Sequence, residues 1–232
     1  MVLVGTGLSP GDLEITSDAV LNFNTIERGS ESGMQTLTVR NNGGTATAAL
    51  SVILGDETNY AKVAGDTCDG VALNPSASCM VQVRFTPTVV GSLPAQLSVL
   101  ESEGVGVAAS LLGTGSARLA VTKTGSGTGT VISTQTGINC GAACPSMEAS
   151  FTASPITLTA SVVSGHAFEG WGGACAHAGM NPECMVPLSQ AATSVTAEFR
   201  AWDCTPDTIS CNDATDHYVD CSPTGTVEVE MD

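Results

Sequence analysis

A strict two-residue rhythm constrains this chain more than any other feature. "MVQVRFTP" sets Val81, Val83 and Phe85 against Gln82, Arg84 and Thr86, "AQLSVLE" alternates through Leu97 and Val99, and "MQTLTVRNNGG" through Leu37 and Val39. Successive side chains of a strand point to opposite faces, so this pattern predicts strands with one buried and one solvated face. Turn residues punctuate the rhythm, as in Asn41-Asn42-Gly43-Gly44, and no window between Leu13 and Gly115 has a helical period. About seven short strands at regular spacing imply an all-β chain that opens with an immunoglobulin-like β-sandwich.

Three stretches of that region carry a family likeness: "LNFNTIERGSESGMQTLTVRNNG", "CDGVALNPSASCMVQVRFTPTVVGSLPAQLSV" and "LLGTG". Through Cys68, Pro75, Cys79, Phe85, Pro87, Gly91 and the closing Gly-Thr-Gly, residues 8–116 resemble the choice-of-anchor D, or ASH/Hydin-like, immunoglobulin domain of bacterial surface proteins. The resemblance implies a module that occurs in tandem, each copy ending in the same phrase. "LVGTG" at Leu3–Gly7 nearly repeats "LLGTG" at Leu111–Gly115. Residues 1–7 therefore read as the terminal strand of a preceding copy, and the chain as a segment of an array. An apolar strand without its own sheet offers an edge to a neighbour. That makes Val2, Leu3 and Val4 candidates for an intermolecular strand donated to a second subunit.

Residues 117–200 begin with "RLAVTKTGSGTGTVIST", a strand, a glycine turn and a second strand. Gly125, Gly127 and Gly129 do not suit a phosphate-cradling loop, which needs a helix N-terminus immediately after the glycines. The β-branched run Thr130–Thr134 makes a hairpin the better reading. "INCGAACPS", "PITLTASVVSGHAFEGWGGAC", "CMVPLS" and "SVTAEF" follow, an order similar to the divergent internalin-type B-repeat. That resemblance implies a small β-grasp-like repeat domain of adhesins and large surface proteins, with no catalytic site to carry over. Phe168 and Trp171 are expected in its core with Phe151, Leu158 and Phe199; an exposed Trp would instead stack on a sugar.

Nine cysteines fall mostly into close pairs: Cys68 with Cys79, Cys140 with Cys144, Cys175 with Cys184. Local pairs point to disulfides and an oxidising, extracytoplasmic compartment. A bridge across "DGVALNPSAS" is worth about 2–3 kcal/mol in the chain-entropy estimate, whereas a redox dithiol would want Cys-x-x-Cys and a nearby cation. Cys140, Cys144, Cys175 and Cys184 could instead form a four-thiolate zinc site. Such sites prefer two short spacings, and the second spacing here is "AHAGMNPE". His166 and His177 sit in no catalytic motif.

Twenty-three acidic against seven basic residues give a net charge of −16, which opposes binding to nucleic acid or to an anionic membrane surface and favours solubility. After Arg200 eight acids and no Lys or Arg remain, so residues 201–232 read as an acidic cysteine-rich tail. Three cysteines cannot all pair internally; Cys204 and Cys211 are assigned a bridge, and Cys221 is left unpaired or for an intermolecular partner. Asn212, Asp213, Asp216 and Asp220 are candidate calcium ligands, since hard cations gather carboxylate and carbonyl oxygens, although the spacing is not that of an EF-hand. No apolar run is long enough for a membrane-spanning helix, and the opening residues lack a signal peptide's basic region. With the odd cysteine count, this fits a piece of a longer exported chain.

Together these features describe a non-catalytic structural module of a secreted or cell-surface bacterial protein: a stalk, adhesin spacer or filament subunit. It is expected to need no cofactor, calcium being the one candidate. Its expected partners are copies of itself, neighbouring repeat domains, or a surface glycan or protein receptor. The alternative is a ligand-binding module for glycan or for calcium-dependent adhesion.

Overall fold

The computed structural model describes residues 11–101, 104–201, 209–212, 217–221 and 227–229. The chain is all-β and divides into two units, Met1–Ser116 and Ala117–Asp232. Among the described residues no helix is long and apolar enough to cross a membrane.

The first unit contains β1 (Leu13–Ile15), β2 (Val20–Glu27), β3 (Gln35–Asn41), β4 (Ser51–Leu54), β5 (Tyr60–Lys62), β6 (Ser78–Phe85), β7 (Gly91–Ser92), β8 (Ala95–Leu100) and the opening half of β9 (Gly106–Thr124). One sheet has the order β1-β3-β6-β5; the other runs β2-β9-β8-β4, with β7 also pairing β9. This is the two-sheet partition of an immunoglobulin sandwich, in which the chain changes sheets between its first two strands. Alternation fills the interior from both sides. Leu37, Val39, Val81, Val83 and Phe85 come from one sheet, and Leu21, Phe23, Leu97, Val99 and Leu111 from the other, all buried. Phe23, Tyr60 and Phe85 form an aromatic cluster with ring centroids 4.8–5.9 Å apart.

Buried Asn41 ties the loops at one end of this core. Its Oδ1 accepts the N–H groups of Asp12 (3.1 Å) and Gly43 (2.8 Å), and its Nδ2 donates to the carbonyls of Thr45 (2.8 Å) and Leu73 (2.9 Å). All four bonds of the amide are used, which is what makes a fully buried Asn tolerable.

The second unit contains the rest of β9 with β10 (Gly129–Ser133), β11 (Asn139–Cys140), β12 (Ser146–Phe151), β13 (Ile156–Val162), β14 (His166–Gly173), β15 (Glu183–Val186) and β16 (Ala192–Ala201), plus a single 3-10 turn at Ala176–Ala178. One sheet is ordered β12-β9-β16-β14, with β9 and β16 parallel at its centre and antiparallel strands outside, the strand order of a β-grasp sheet. The second sheet, β11-β10-β13-β15, packs on it, and a Cβ added at Gly129 would lie 2.1 Å from the Phe199 ring. Leu119, Val121, Val131, Ile156, Leu158, Val195 and Phe199 fill the interior.

Trp171 belongs to this core at 6% exposure, whereas Phe168 is half-buried, with its ring centroid 5.2 Å from Trp171 and 5.4 Å from Phe199. A register shift between Phe168 and Gly170 explains how residues three apart meet: the bulge cancels the alternation that would send them to opposite faces,. Farther on, β17 (Ile209–Asn212), β18 (His217–Cys221) and β19 (Val227–Val229) form a three-stranded antiparallel sheet.

Candidate functional site

Each unit pairs an early strand with a late one in parallel. In the first unit seven register pairs join β2 to β9, from Val20↔Ser110 to Glu27↔Ser116, and the Arg28 N–H extends the ladder to the Ser116 carbonyl at 2.7 Å. A bulge interrupts it at Asn22/Asn24, where Asn24 takes φ 59° and its N–H donates to Asn22 Oδ1 at 2.9 Å. In the second unit seven pairs join β9 to β16, from Arg118↔Ala192 to Thr124↔Glu198. Parallel ladders space their bonds evenly along the strands. Pulling the start of one strand against the end of its parallel partner slides the two past each other, so the bonds strain together and not in succession.

Among the described residues three disulfides hold loops onto these frames: Cys68–Cys79, Cys140–Cys144 and Cys175–Cys184, with Cα separations of 5.0, 5.2 and 5.9 Å. The first closes a loop over the outer edge of β4. Leu50 donates its N–H to the Val71 carbonyl (2.9 Å) and accepts from the Gly70 N–H (2.8 Å). Val52 donates its N–H to Asp69 Oδ1 (3.0 Å), and its carbonyl accepts from Lys62 Nζ (3.3 Å). Asp69 and Lys62 also pair with each other at 3.1 Å. The Val52 N–H first, then Lys62, hold the Asp69 carboxyl below its ordinary range. An edge covered in this way cannot template a further strand.

The Cys140–Cys144 loop presents the Gly141 and Ala142 carbonyls to Lys123, whose Nζ donates to them at 2.7 and 3.0 Å and to the Gly129 carbonyl at 2.7 Å. Burial draws the Lys123 ammonium below the usual lysine range. Its three donors are committed to carbonyls, so it has none to offer an anion in the adjoining 190 Å³ cleft,. The Cys175–Cys184 loop is fastened to Trp171, whose N–H donates to the Gly179 carbonyl (2.9 Å) and whose Nε1–H donates to the Asn181 carbonyl (2.8 Å).

A polar knot supports the first unit's aromatic cluster. Asp56 accepts from the Thr58 N–H (2.9 Å) and from the Asn59 N–H (3.1 Å) and Nδ2 (2.7 Å), while Asn59 Oδ1 accepts from the Thr88 N–H and hydroxyl, both at 2.9 Å. Burial raises the Asp56 carboxyl, but the bonds from Asn59 and Thr58 outweigh it and leave the group below its ordinary value. The Tyr60 hydroxyl donates to the Leu93 carbonyl at 2.6 Å. Burial, aided by the Asp56 charge, pushes its pKa up to about 12. Because the phenol's value rises on folding, its contribution to stability is whole below pH about 10 and is lost as pH climbs through about 12. Melting curves across that window should show the first unit's transition falling, with a flatter fall in Tyr60→Phe. An equal fall in the variant refutes Tyr60 as the source.

The residues singled out in the sequence are dispersed. Val2, Leu3, Val4, Cys204, Asp213 and Asp216 lie outside the described residues. In the three-stranded sheet Cys211 stands opposite Tyr218 and Cys221 opposite Val227. Asn212 stands opposite His217 and Asp220 opposite Ile209, three register steps apart, or roughly 10 Å along the ladder. Among the described residues no three His, Cys, Asp or Glu side chains converge as a metal-holding group. His166 Nδ1 accepts the Thr128 N–H at 3.1 Å, and His177 borders a 530 Å³ groove with Thr157, Asn181, Glu183 and Met185. Sequence reasoning missed the Lys123 cage and the Asp56–Asn59 knot. "DETNY" at Asp56–Tyr60 was the available signal for the knot, since Asp commonly bonds the backbone two residues on,.

No protein-family model matches the chain, and no curated protein matches it. Among solved structures it is similar to the ASH/PapD-like domain of human CEP192, at 16% identity and a TM-score of 0.34 over 50% of this chain and 92% of that one. It is similar to the Bacillus anthracis TIE protein, at 9% identity and a TM-score of 0.44 over 85% of this chain and 42% of that one. It is also similar to the major pilin subunit of Bacillus cereus, at 6% identity and a TM-score of 0.31 over 82% of this chain and 70% of that one. The immunoglobulin-like partition of the first unit is fixed by its own strand register, independently of these likenesses.

Proposed function

We propose that this chain is a non-catalytic structural module of a secreted or cell-surface protein, a stalk or spacer segment that bears tension. In this reading the first unit is of ASH type and the second of B-repeat type. One observation carries it: each unit holds a seven-pair parallel ladder, β2 with β9 and β9 with β16, and once β1 is drawn off β3 tension along the chain loads these ladders in shear. A bond network loaded in shear must yield nearly all at once, which raises the barrier that sets the forced-unfolding rate. The disulfides support the same role, since each withholds a segment from extension once its unit opens. A net charge of −16 keeps neighbouring copies dispersed,.

Single-molecule pulling of the full chain tests this. Pulled from its ends, each unit should open at higher force than when handles peel β9 off its partner from one end. Equal forces in the two geometries overturn the reading. Reduction should lengthen the first unit's extension step by roughly 35 Å, because Cys68 and Cys79 are 11 residues apart in sequence but 5.0 Å apart in space, and each extended residue spans up to about 3.6 Å.

A further inference from the structure

The three disulfides among the described residues differ in how deeply they are set. Cys68 with Cys79, and Cys175 with Cys184, are buried on both sides of their bridges. In the third, Cys140 is fully buried but Cys144 is half-buried. Cys144 lines the 190 Å³ cleft together with Lys123, Ala142 and Ala143. This bridge also closes the shortest loop, with a sequence separation of 4 against 9 and 11. In the chain-entropy account it therefore adds least to the fold, and opening it costs the fold least. Buried structural bridges resist reduction, whereas exposed ones are the labile and regulatory ones.

We infer that Cys140–Cys144 is a thiol–disulfide exchange site, open to a small aliphatic thiol that enters the cleft and attacks Cys144. The incoming thiolate forms a bond to Cys144 Sγ as the Sγ–Sγ bond breaks. The electron pair leaves on Cys140 Sγ, which takes a proton from water. A second thiolate then attacks the bound thiol's sulfur and releases Cys144, so the pair is reduced and two thiols are oxidised to their disulfide. The dithiol formed in this way has partners waiting. Cys140 Sγ lies 3.1 Å from the Cys144 carbonyl and Cys144 Sγ 3.3 Å from the Ser146 carbonyl, so each new S–H has an acceptor within reach,. Lys123 is a positioning residue for this loop. Its Nζ donates to the Gly141 and Ala142 carbonyls, and the Cys144 N–H donates to the Gly141 carbonyl at 3.0 Å. None of these bonds needs the bridge, so they hold the two sulfurs near each other once it opens. The bridge then re-forms by exchange with an external disulfide. The inference is independent of the tension-bearing role, since the loop lies outside both parallel ladders.

Graded dithiothreitol on the folded full chain at neutral pH tests this, after free thiols have been blocked with iodoacetamide. Thiols released by the reductant are labelled with N-ethylmaleimide and located by peptide mass spectrometry, which reads each pair separately. Cys140 and Cys144 should be half-labelled at a concentration at least about tenfold below that for either other pair, with both melting transitions still present. A monothiol, 2-mercaptoethanol, followed by acid quenching should leave its adduct on Cys144 and not on Cys140. Lys123→Met should shift the pair's equilibrium in a dithiothreitol redox buffer at least about threefold toward the dithiol, and Lys62→Met in the first unit should leave it unchanged. Release of all three pairs over one concentration range, or of another pair first, overturns the inference. So does a Cys140–Cys144 bridge that opens only where the second unit has melted. An adduct on Cys140 overturns the direction of attack, and an unmoved equilibrium in Lys123→Met overturns the positioning role.

Discussion

Trp171→Ala should abolish the cooperative melting transition of the second unit and leave that of the first in place. The indole is 6% exposed, packs edge-on to Phe168 with ring centroids 5.2 Å apart, and donates Nε1–H to the Asn181 carbonyl at 2.8 Å. Removing a buried aromatic costs about 3–5 kcal/mol, and losing the donor leaves a loop carbonyl to find water. A small domain holds about 5–15 kcal/mol in all, so a large share of the second unit's margin goes. Trp171→Phe keeps most of the buried area and loses only the Nε1–H bond, so it should retain a second-unit transition, at a temperature below that of wild type. Calorimetry on the full chain decides the matter. A Trp171→Ala profile that retains both transitions refutes the core role.

Much of the fold was legible because alternation is a local signal. Leu37 with Val39, Val81 with Val83 and Phe85, and Leu97 with Val99 all point into the sandwich. The hairpin expected at Gly125–Gly129 is corrected by the structure: these glycines connect β9 to β10, but the two strands enter different sheets, so the connection is a corner between sheets. Partner choice is not local, and there the sequence was silent. Nothing near Val20 announces Ser110 as its neighbour, and nothing near Arg118 announces Ala192. The parallel ladders behind the proposed function thus appear only in three dimensions. Phe168 shows the opposite failure, a core residue by composition that a bulge in β14 leaves half-buried.

Gly113→Ala and Gly115→Ala should each destabilise the first unit by about 3 kcal/mol or more, the upper range for overpacking a tight core. A Cβ at Gly113 would stand 2.6 Å from the ring of Phe85, which is fully buried against Phe23 and Tyr60 and has nowhere to retreat. A Cβ at Gly115 would stand 2.1 Å from the Val89 carbonyl oxygen and 2.9 Å from Pro87 Cβ, so backbone would have to move. The cost is high because both glycines sit in β9 where it pairs with β2 and β7, and a shift there disturbs the ladder as well as the core. Thr114→Ala, between them and half-buried, should cost under about 1 kcal/mol and serves as the control. Melting of the three variants checks this, and Gly→Ala effects no larger than the control's would show that the close approaches relax cheaply. The contacts also give a physical reading of the phrase itself. Gly-Thr-Gly is what a terminal strand needs when it must pass directly beneath a core Phe and against the turn after it, and Gly5-Thr6-Gly7 repeats that requirement in sequence. A peptide of residues 1–7 should therefore fail to displace Leu111–Gly115 from an intact first unit, whose own glycines already occupy that place.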